Sequence, residues 1–132
     1  GRIRIETFRN LFTGPIDPAP SVVAPGVVFP PATGPSVHVT TVGGLSVPQN
    51  PTGSYVVPDV GLTSATSVSV GLEGRNIPLG TIVNLTLRPE TGSAVSVSST
   101  PLAGTVALSS ATATVTVPHG FSRFLVQATW TP

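Results

Sequence analysis

Apolar and polar residues alternate along most of the chain from Ser36 onward. The segment 66–72 has the sequence TSVSVGL, and the segment 111–117 has the sequence ATATVTV. Side chains two positions apart lie on one face of a strand, so this period predicts strands with one apolar face and one Ser/Thr face. The predicted strands are 36–42, 66–72, 81–87, 94–98, 111–117 and 121–131, with a short apolar run at 53–58 and a weaker candidate at 104–110.

Turn-forming residues stand between these segments. They are GG at 43–44, PQNPTG at 48–53, EGRNIPLG at 73–80, RPETG at 88–92, PLAG at 101–104 and PHG at 118–120. No segment shows a helical period, and Val, Thr, Ser and Gly are poor helix formers. Short alternating strands separated by turns are typical of an antiparallel β-sandwich. We therefore predict an all-β fold in which Trp130 is the large side chain available to fill the core.

The N-terminal region is predicted to be organised differently. One face of a first strand would carry Ile3, Ile5 and Thr7, and the other Arg2, Arg4, Glu6 and Phe8. The following segment, 13–35, holds seven prolines and three glycines. Proline fixes φ and removes a hydrogen-bond donor, so this segment is predicted to be an extended tether. The predicted division is an N-terminal strand at 1–12, a Pro-rich extended arm at 13–35 and a β-sandwich domain at 36–132.

Composition narrows the classes of function. Only 8% of the residues are charged and the net charge is +1, so a basic footprint for nucleic acid or an anionic membrane is missing. The chain has no cysteine, which excludes disulfides and thiol chemistry. No apolar run is long enough for a transmembrane helix. A Ser/Thr/Val/Gly/Pro-rich chain without Lys, Cys or Met favours an extracellular or cell-surface bacterial protein.

Residues that could carry chemistry are few and scattered. The two histidines, His38 and His119, have no neighbouring ligands at metal-binding spacing. The five carboxylates, Glu6, Asp17, Asp59, Glu73 and Glu90, form no local acid pair, and Asp59 and Glu90 follow prolines as turn residues. The sequence lacks a GxSxG elbow and phosphate-binding glycine motifs. We therefore predict a non-enzymatic protein with no catalytic, cofactor or metal site.

Two stretches carry a resemblance to a known class of domain. The sequences VSVGLEGRNIPLGTIVNLTLRPETG at 68–92 and SSTPLAGTVALSSATATVTVP at 98–118 resemble immunoglobulin-like β-sandwich domains of bacterial secreted and surface proteins. The opening RIRIE is similar to the last rung of glycine-rich secreted proteins that carry such a domain at their C-terminal end. The resemblance implies an extracellular structural or adhesive role, and no catalytic residue is transferred by it.

Two placements of the first strand remain open. It can fold back onto its own sandwich, or it can complete the sheet of a second copy, because an exposed edge is a template for an added strand. A head-to-tail contact of this kind does not close and so builds a filament. The predicted assembly interface is Arg2, Ile3, Arg4, Ile5, Glu6, Thr7 and Phe8. The alternatives are a monomeric adhesive or spacer domain that binds a surface receptor or polysaccharide, and, less favoured, a carbohydrate-binding module.

Overall fold

The computed structural model describes residues 4–6, 21–23, 33–63 and 66–131. In these residues every regular element is a β-strand and no helix occurs, which confirms the all-β prediction. The chain divides into two compact units, Gly1–Ala32 and Thr33–Pro132.

The described part of the first unit is a pair of short strands. β1, Arg4–Glu6, pairs in parallel with β2, Ser21–Val23, and Ile5 lies opposite Val22. β2 falls within the segment interpreted above as an extended tether. Its two valines are β-branched residues that favour strands, and they lie between Pro20 and Pro25.

The second unit contains eight strands in two antiparallel sheets. The strands are β3 Ser36–Val42, β4 Leu45–Ser46, β5 Ser67–Arg75, β6 Ile82–Pro89, β7 Val95–Pro101, β8 Ala103–Gly104, β9 Ser109–Thr116 and β10 Ser122–Ala128. One sheet has the order β4-β3-β5-β9-β8, and the other has the order β10-β6-β7. Their apolar faces share one core, so the antiparallel β-sandwich architecture agrees with the alternating pattern.

The core is aliphatic. It is built from Val68, Val70 and Leu72 of β5, Val83, Leu85 and Leu87 of β6, and Ala111, Ala113 and Val115 of β9, with Ile77 and Leu102 from the connections. The outward positions of β9 are all Ser or Thr, and those at the start of β5 are Ser67 and Ser69, which solvates a surface that has few charges. The period of two in the sequence therefore translates directly into an inner and an outer face.

Three details of the prediction were wrong. The run 53–58 forms no strand, because Gly53 takes a φ of +57° and the Ser54 hydroxyl accepts hydrogen bonds from the amides of Val56 and Val57. The candidate at 104–110 is interrupted by a turn in which Thr105 and Leu108 bond to each other. Trp130 is 39% exposed rather than a core residue, because β10 ends at Ala128.

A buried side-chain hydroxyl takes the place of a backbone acceptor where the hydrogen bonding between β6 and β7 is irregular. The register of this pair shifts between Ile82 and Asn84, and the amide of Val83 donates to Ser99 Oγ at 3.0 Å. The Ser99 hydroxyl in turn donates to the carbonyl of Thr100 at 2.6 Å. Ser99 is only 8% exposed, so water has little access to replace it.

We expect Ser99→Ala to lower the free energy of unfolding by about 1–2 kcal/mol, because it leaves the buried Val83 amide without a partner. Urea denaturation measures this loss. The matched control is Ser98→Ala on the exposed face of the same strand, which should change stability by less than about 0.5 kcal/mol. Equal effects of the two substitutions would show that the Ser99 hydroxyl does not support the ladder.

Candidate functional site

β10 is an unpaired edge strand of the three-stranded sheet. β10 pairs with β6 along its whole length, and among the described strands no other lies beside it. Its inward residues Phe124 and Val126 are only partly buried, whereas Leu87 and Leu85, their partners on β6, are almost fully buried. The inner face of β10 therefore has apolar surface that the sandwich does not cover.

An apolar cleft of about 450 Å³ lies between β10 and β3. Val37 and Val39 of β3 line one wall, and Phe124 and Val126 of β10 line the other. All four are partly buried and pack against the core. The cleft is thus an outward extension of the core at the open side of the sandwich.

The connection between β4 and β5 borders this cleft. Residues 47–63 contain no strand, and Val60 and Leu62 contribute apolar surface to the lining. Tyr55 attaches the connection to the three-stranded sheet, because its hydroxyl donates to the carbonyl of Arg88 at 3.1 Å. The guanidinium of Arg123 stacks over the Tyr55 ring at 3.9 Å from the centroid, a favourable cation–π contact.

Asp59 holds the middle of this connection in place. Its Oδ1 accepts from the amide of Thr52 at 2.9 Å and from the Thr52 hydroxyl at 3.1 Å, and its Oδ2 accepts from the amide of Gly53 at 2.8 Å. The backbone hydrogen bond from Thr52, followed by that from Gly53, lowers the pKa of Asp59 from its ordinary value of 3.8. The sequence identified Asp59 only as a turn residue, because its partners lie six and seven positions away.

The Asp59 carboxylate should make stability depend on acid pH. Its pKa in the folded protein lies below that of the unfolded chain, so its contribution is complete above 3.8 and disappears as pH falls through the folded value. We expect the difference in thermal stability between the wild type and Asp59→Asn to be constant near neutrality and to shrink below pH 3.8. A difference that persisted unchanged in strong acid would contradict this role for the carboxylate.

A single buried hydroxyl at the cleft lacks a partner. Ser122 lines the cleft at the start of β10, and its Oγ is the one buried side-chain polar atom in the described segments without a hydrogen bond. Buried polar groups are nearly always bonded, so an unbonded one next to a cleft is informative. The hydrogen-bonding capacity of this hydroxyl is therefore not used by the described residues.

Three candidates for metal or acid chemistry, His38, Asp59 and His119, line the cleft, but in the described residues they do not form a metal-binding group. His38 lies 3.6 Å from Glu73, which also accepts from Arg75 at 2.8 Å, and both contacts are on the five-stranded sheet. In the described segments no three histidine or carboxylate groups come close enough to hold a metal ion. These segments also contain no helix with the length and apolar character needed to cross a bilayer.

The predicted assembly residues lie in the first unit. Arg4, Ile5 and Glu6 form β1 and pair with β2 of the same chain. Arg2, Ile3, Thr7 and Phe8 lie outside the described residues. The free β10 edge and the cleft, which could receive such a strand, were not located by the sequence.

The chain was compared with known proteins in three ways. No protein-family model matches it, and neither a curated protein nor a solved structure does. A function is therefore inferred from the geometry of the site itself.

Proposed function

We propose that this protein is a non-enzymatic structural subunit of the bacterial cell surface, which assembles when an extended strand of a second copy is added beside β10. The observation that carries the proposal is the unpaired β10 edge next to the apolar cleft. An added strand would satisfy the free backbone groups of β10 and would cover Phe124 and Val126 with alternate side chains. The Ser122 hydroxyl would gain a hydrogen-bond partner from the added strand.

The order of the strands supports an immunoglobulin-like sandwich. In such domains the first, second and fifth strands share one sheet, and the last strand pairs with the strand before it in the other sheet. Here β3, β5 and β9 correspond to the first group, and β6 and β10 form the centre and edge of the second sheet. The position beside β10 is where the last strand of an immunoglobulin-like domain would pair. The proposed donor fills that position.

The donor we propose is residues 2–8 of another copy. Its alternating sequence offers Ile3 and Ile5 to an apolar cleft, and its charged residues to solvent. In the described residues of the single chain, β1 pairs with β2 over three residues. A two-stranded pair of this size is marginally stable, so exchanging it for a seven-residue edge is favourable in principle.

A monomeric spacer or adhesive domain is the second candidate. The observation that favours it is the pairing of β1 with β2 in the same chain, which uses the proposed donor internally. The division of the chain into two compact units also suits a domain that stands alone.

Removal of residues 1–12 distinguishes the two functions. We expect the full chain to form oligomers or filaments as concentration rises, as measured by light scattering and electron microscopy, and the shortened chain to remain a folded monomer. On the donor, Ile5→Asp should block assembly, whereas Arg4→Asp on the opposite face should not. A full chain that stays monomeric at every concentration would overturn the proposal and favour the spacer domain.

The acceptor side has its own matched pair of variants. Val126→Arg places a charge in the cleft, and Leu125→Arg places one on the exposed face of the same strand. We expect assembly to be lost in Val126→Arg and kept in Leu125→Arg. Because Val126→Arg could unfold the domain, circular dichroism of each variant accompanies the measurement, and Val39→Ser provides a milder change on the opposite wall.

A further inference from the structure

Two arginines face each other on the outer surface of the three-stranded sheet. Arg88 of β6 and Arg123 of β10 are direct partners in the antiparallel ladder, and both are exposed. Residues directly opposite each other project to the same face at close range, and like charges in that position destabilise a sheet. The stack on Tyr55 compensates for the Arg123 charge in part, but the structure gives Arg88 no comparable contact in its described residues.

The pairing is unusual for a chain with so little charge. The second unit contains three arginines and no lysine, and the third arginine, Arg75, is bonded to Glu73 at 2.8 Å. Within the described sandwich no carboxylate lies within 4.0 Å of Arg88 or Arg123. Arg88 and Arg123 thus have no acidic partner in the described sandwich, and they are direct neighbours on its surface.

The surroundings of this pair combine polar and apolar groups. A depression next to Arg123 is lined by Asn84, Thr86, Arg88, Leu125, Val126 and Gln127. The register places Gln127 opposite Asn84 and Leu125 opposite Thr86, so the polar groups continue along the two strands from the arginines. The face thus combines two kinds of group. An arginine guanidinium can donate two hydrogen bonds to one carboxylate, and the side-chain amides of Asn84 and Gln127 can both donate and accept.

We propose that this face binds an acidic polysaccharide, with Arg88 and Arg123 holding uronate carboxylates and the Asn84 and Gln127 amides bonding the neighbouring hydroxyls. Charge complementarity selects an anionic ligand. The amides match the many hydroxyls of a sugar chain, whereas Leu125 and Val126 give the depression a smaller apolar centre than a protein interface has. The site uses outward side chains of β6 and β10, whereas strand addition uses the inward-facing cleft; Arg123 and Val126 also line that cleft.

The test uses oligogalacturonate as the probe and titration calorimetry of the full chain at low salt. We expect binding that weakens as salt is added, a loss of roughly tenfold in affinity for Arg88→Gln, and no detectable binding for Arg88→Gln combined with Arg123→Gln. Arg88→Gln keeps the backbone carbonyl that Tyr55 bonds, so it leaves that anchor intact. Arg75→Gln, on the other sheet, is the matched control and should bind normally.

Any of three results with the sugar probes would overturn the proposal. They are an absence of binding by the wild type, an equal loss in Arg75→Gln, and equally tight binding of the uncharged galactose oligomer. A poly-glutamate peptide that bound as tightly as the sugar would also refute it, since it would indicate a general anion site. Because Arg123 also reaches the rim of the cleft, Arg88→Gln rather than Arg123→Gln decides between the two sites.

Discussion

Leu85→Ala is expected to lower the free energy of unfolding by about 2–5 kcal/mol, the range for removing a large aliphatic side chain from a packed core. Leu85 lies at the middle of β6, the central strand of its sheet, and is fully buried. Val126 of β10 and Val97 of β7 flank it in the two neighbouring ladders. Because strands on both sides hold the neighbouring side chains in place, the cavity that Leu85→Ala leaves can collapse only partly.

Chemical denaturation of Leu85→Ala measures this effect, and Leu125→Ala on β10 is its control. Leu125 is 48% exposed on the outer face, so its truncation should cost less than about 0.5 kcal/mol. If Leu85→Ala were no more destabilising than Leu125→Ala, the assignment of inner and outer faces would be wrong.

Gly74→Val is expected to destabilise the domain by about 2–3 kcal/mol through overpacking. A Cβ at Gly74 would lie 2.9 Å from Ser109 Oγ and 3.0 Å from Leu102 Cδ1. Both neighbours are at most 2% exposed, and the Ser109 hydroxyl donates to the carbonyl of Gly74 at 3.1 Å. Neither side chain can move away without losing a buried contact.

Gly61→Val is the control for Gly74→Val. Gly61 is exposed, has no atom within 4 Å of the added Cβ and does not have a positive φ. Thermal unfolding should therefore show a large decrease for Gly74→Val and little change for Gly61→Val. Similar melting temperatures for the two variants would contradict the close approach of β5 to Leu102 and Ser109.

Strands whose inner face is buried were predictable from the sequence. The segments 66–72 and 111–117 alternate without interruption. The segment 81–87 carries the exposed Ile82 on its outer face, and 36–42 shifts register between Val39 and Thr41. Each of the four lies in a strand of the sandwich or overlaps it closely. In these segments the burial of every second residue makes local pattern and tertiary packing agree. The observed strand ends differ from the predicted ones by two or three residues where hydrogen bonding continues past the apolar pattern. For example, β5 extends to Arg75, whereas the predicted strand ends at residue 72.

Features that depend on distant partners were not predictable. The apolar run 53–58 has the composition of a strand, but Ser54 and Asp59 bond its backbone and neighbouring amides into a bent connection. The Arg88–Arg123 pair joins residues far apart in sequence, and only the register of β6 and β10 brings them together. The same holds for the cleft, whose walls come from the first and last strands of the sandwich.

The proposed assembly follows from the surroundings of β10. Both β7 and β10 are edge strands of the three-stranded sheet, and the inward Val97 of β7 is partly buried as well. What sets β10 apart is the cleft of about 450 Å³ beside it, which no residue of β7 lines. On the β10 side, Phe124 and Val126 remain only partly buried beside an unpaired edge. An edge with apolar residues behind it is a site that natural proteins usually protect or use.

Amide hydrogen exchange of β10 tests strand addition most directly. β10 already pairs with β6, so strand addition newly protects only the amides of 122–128 that point away from β6. We predict that these amides exchange much more slowly in the full chain at concentrations where it assembles than in the chain lacking residues 1–12, while amides of β7, the opposite edge of the same sheet, do not change. Unchanged exchange in β10 upon assembly, or new protection of β7 in its place, would contradict the account.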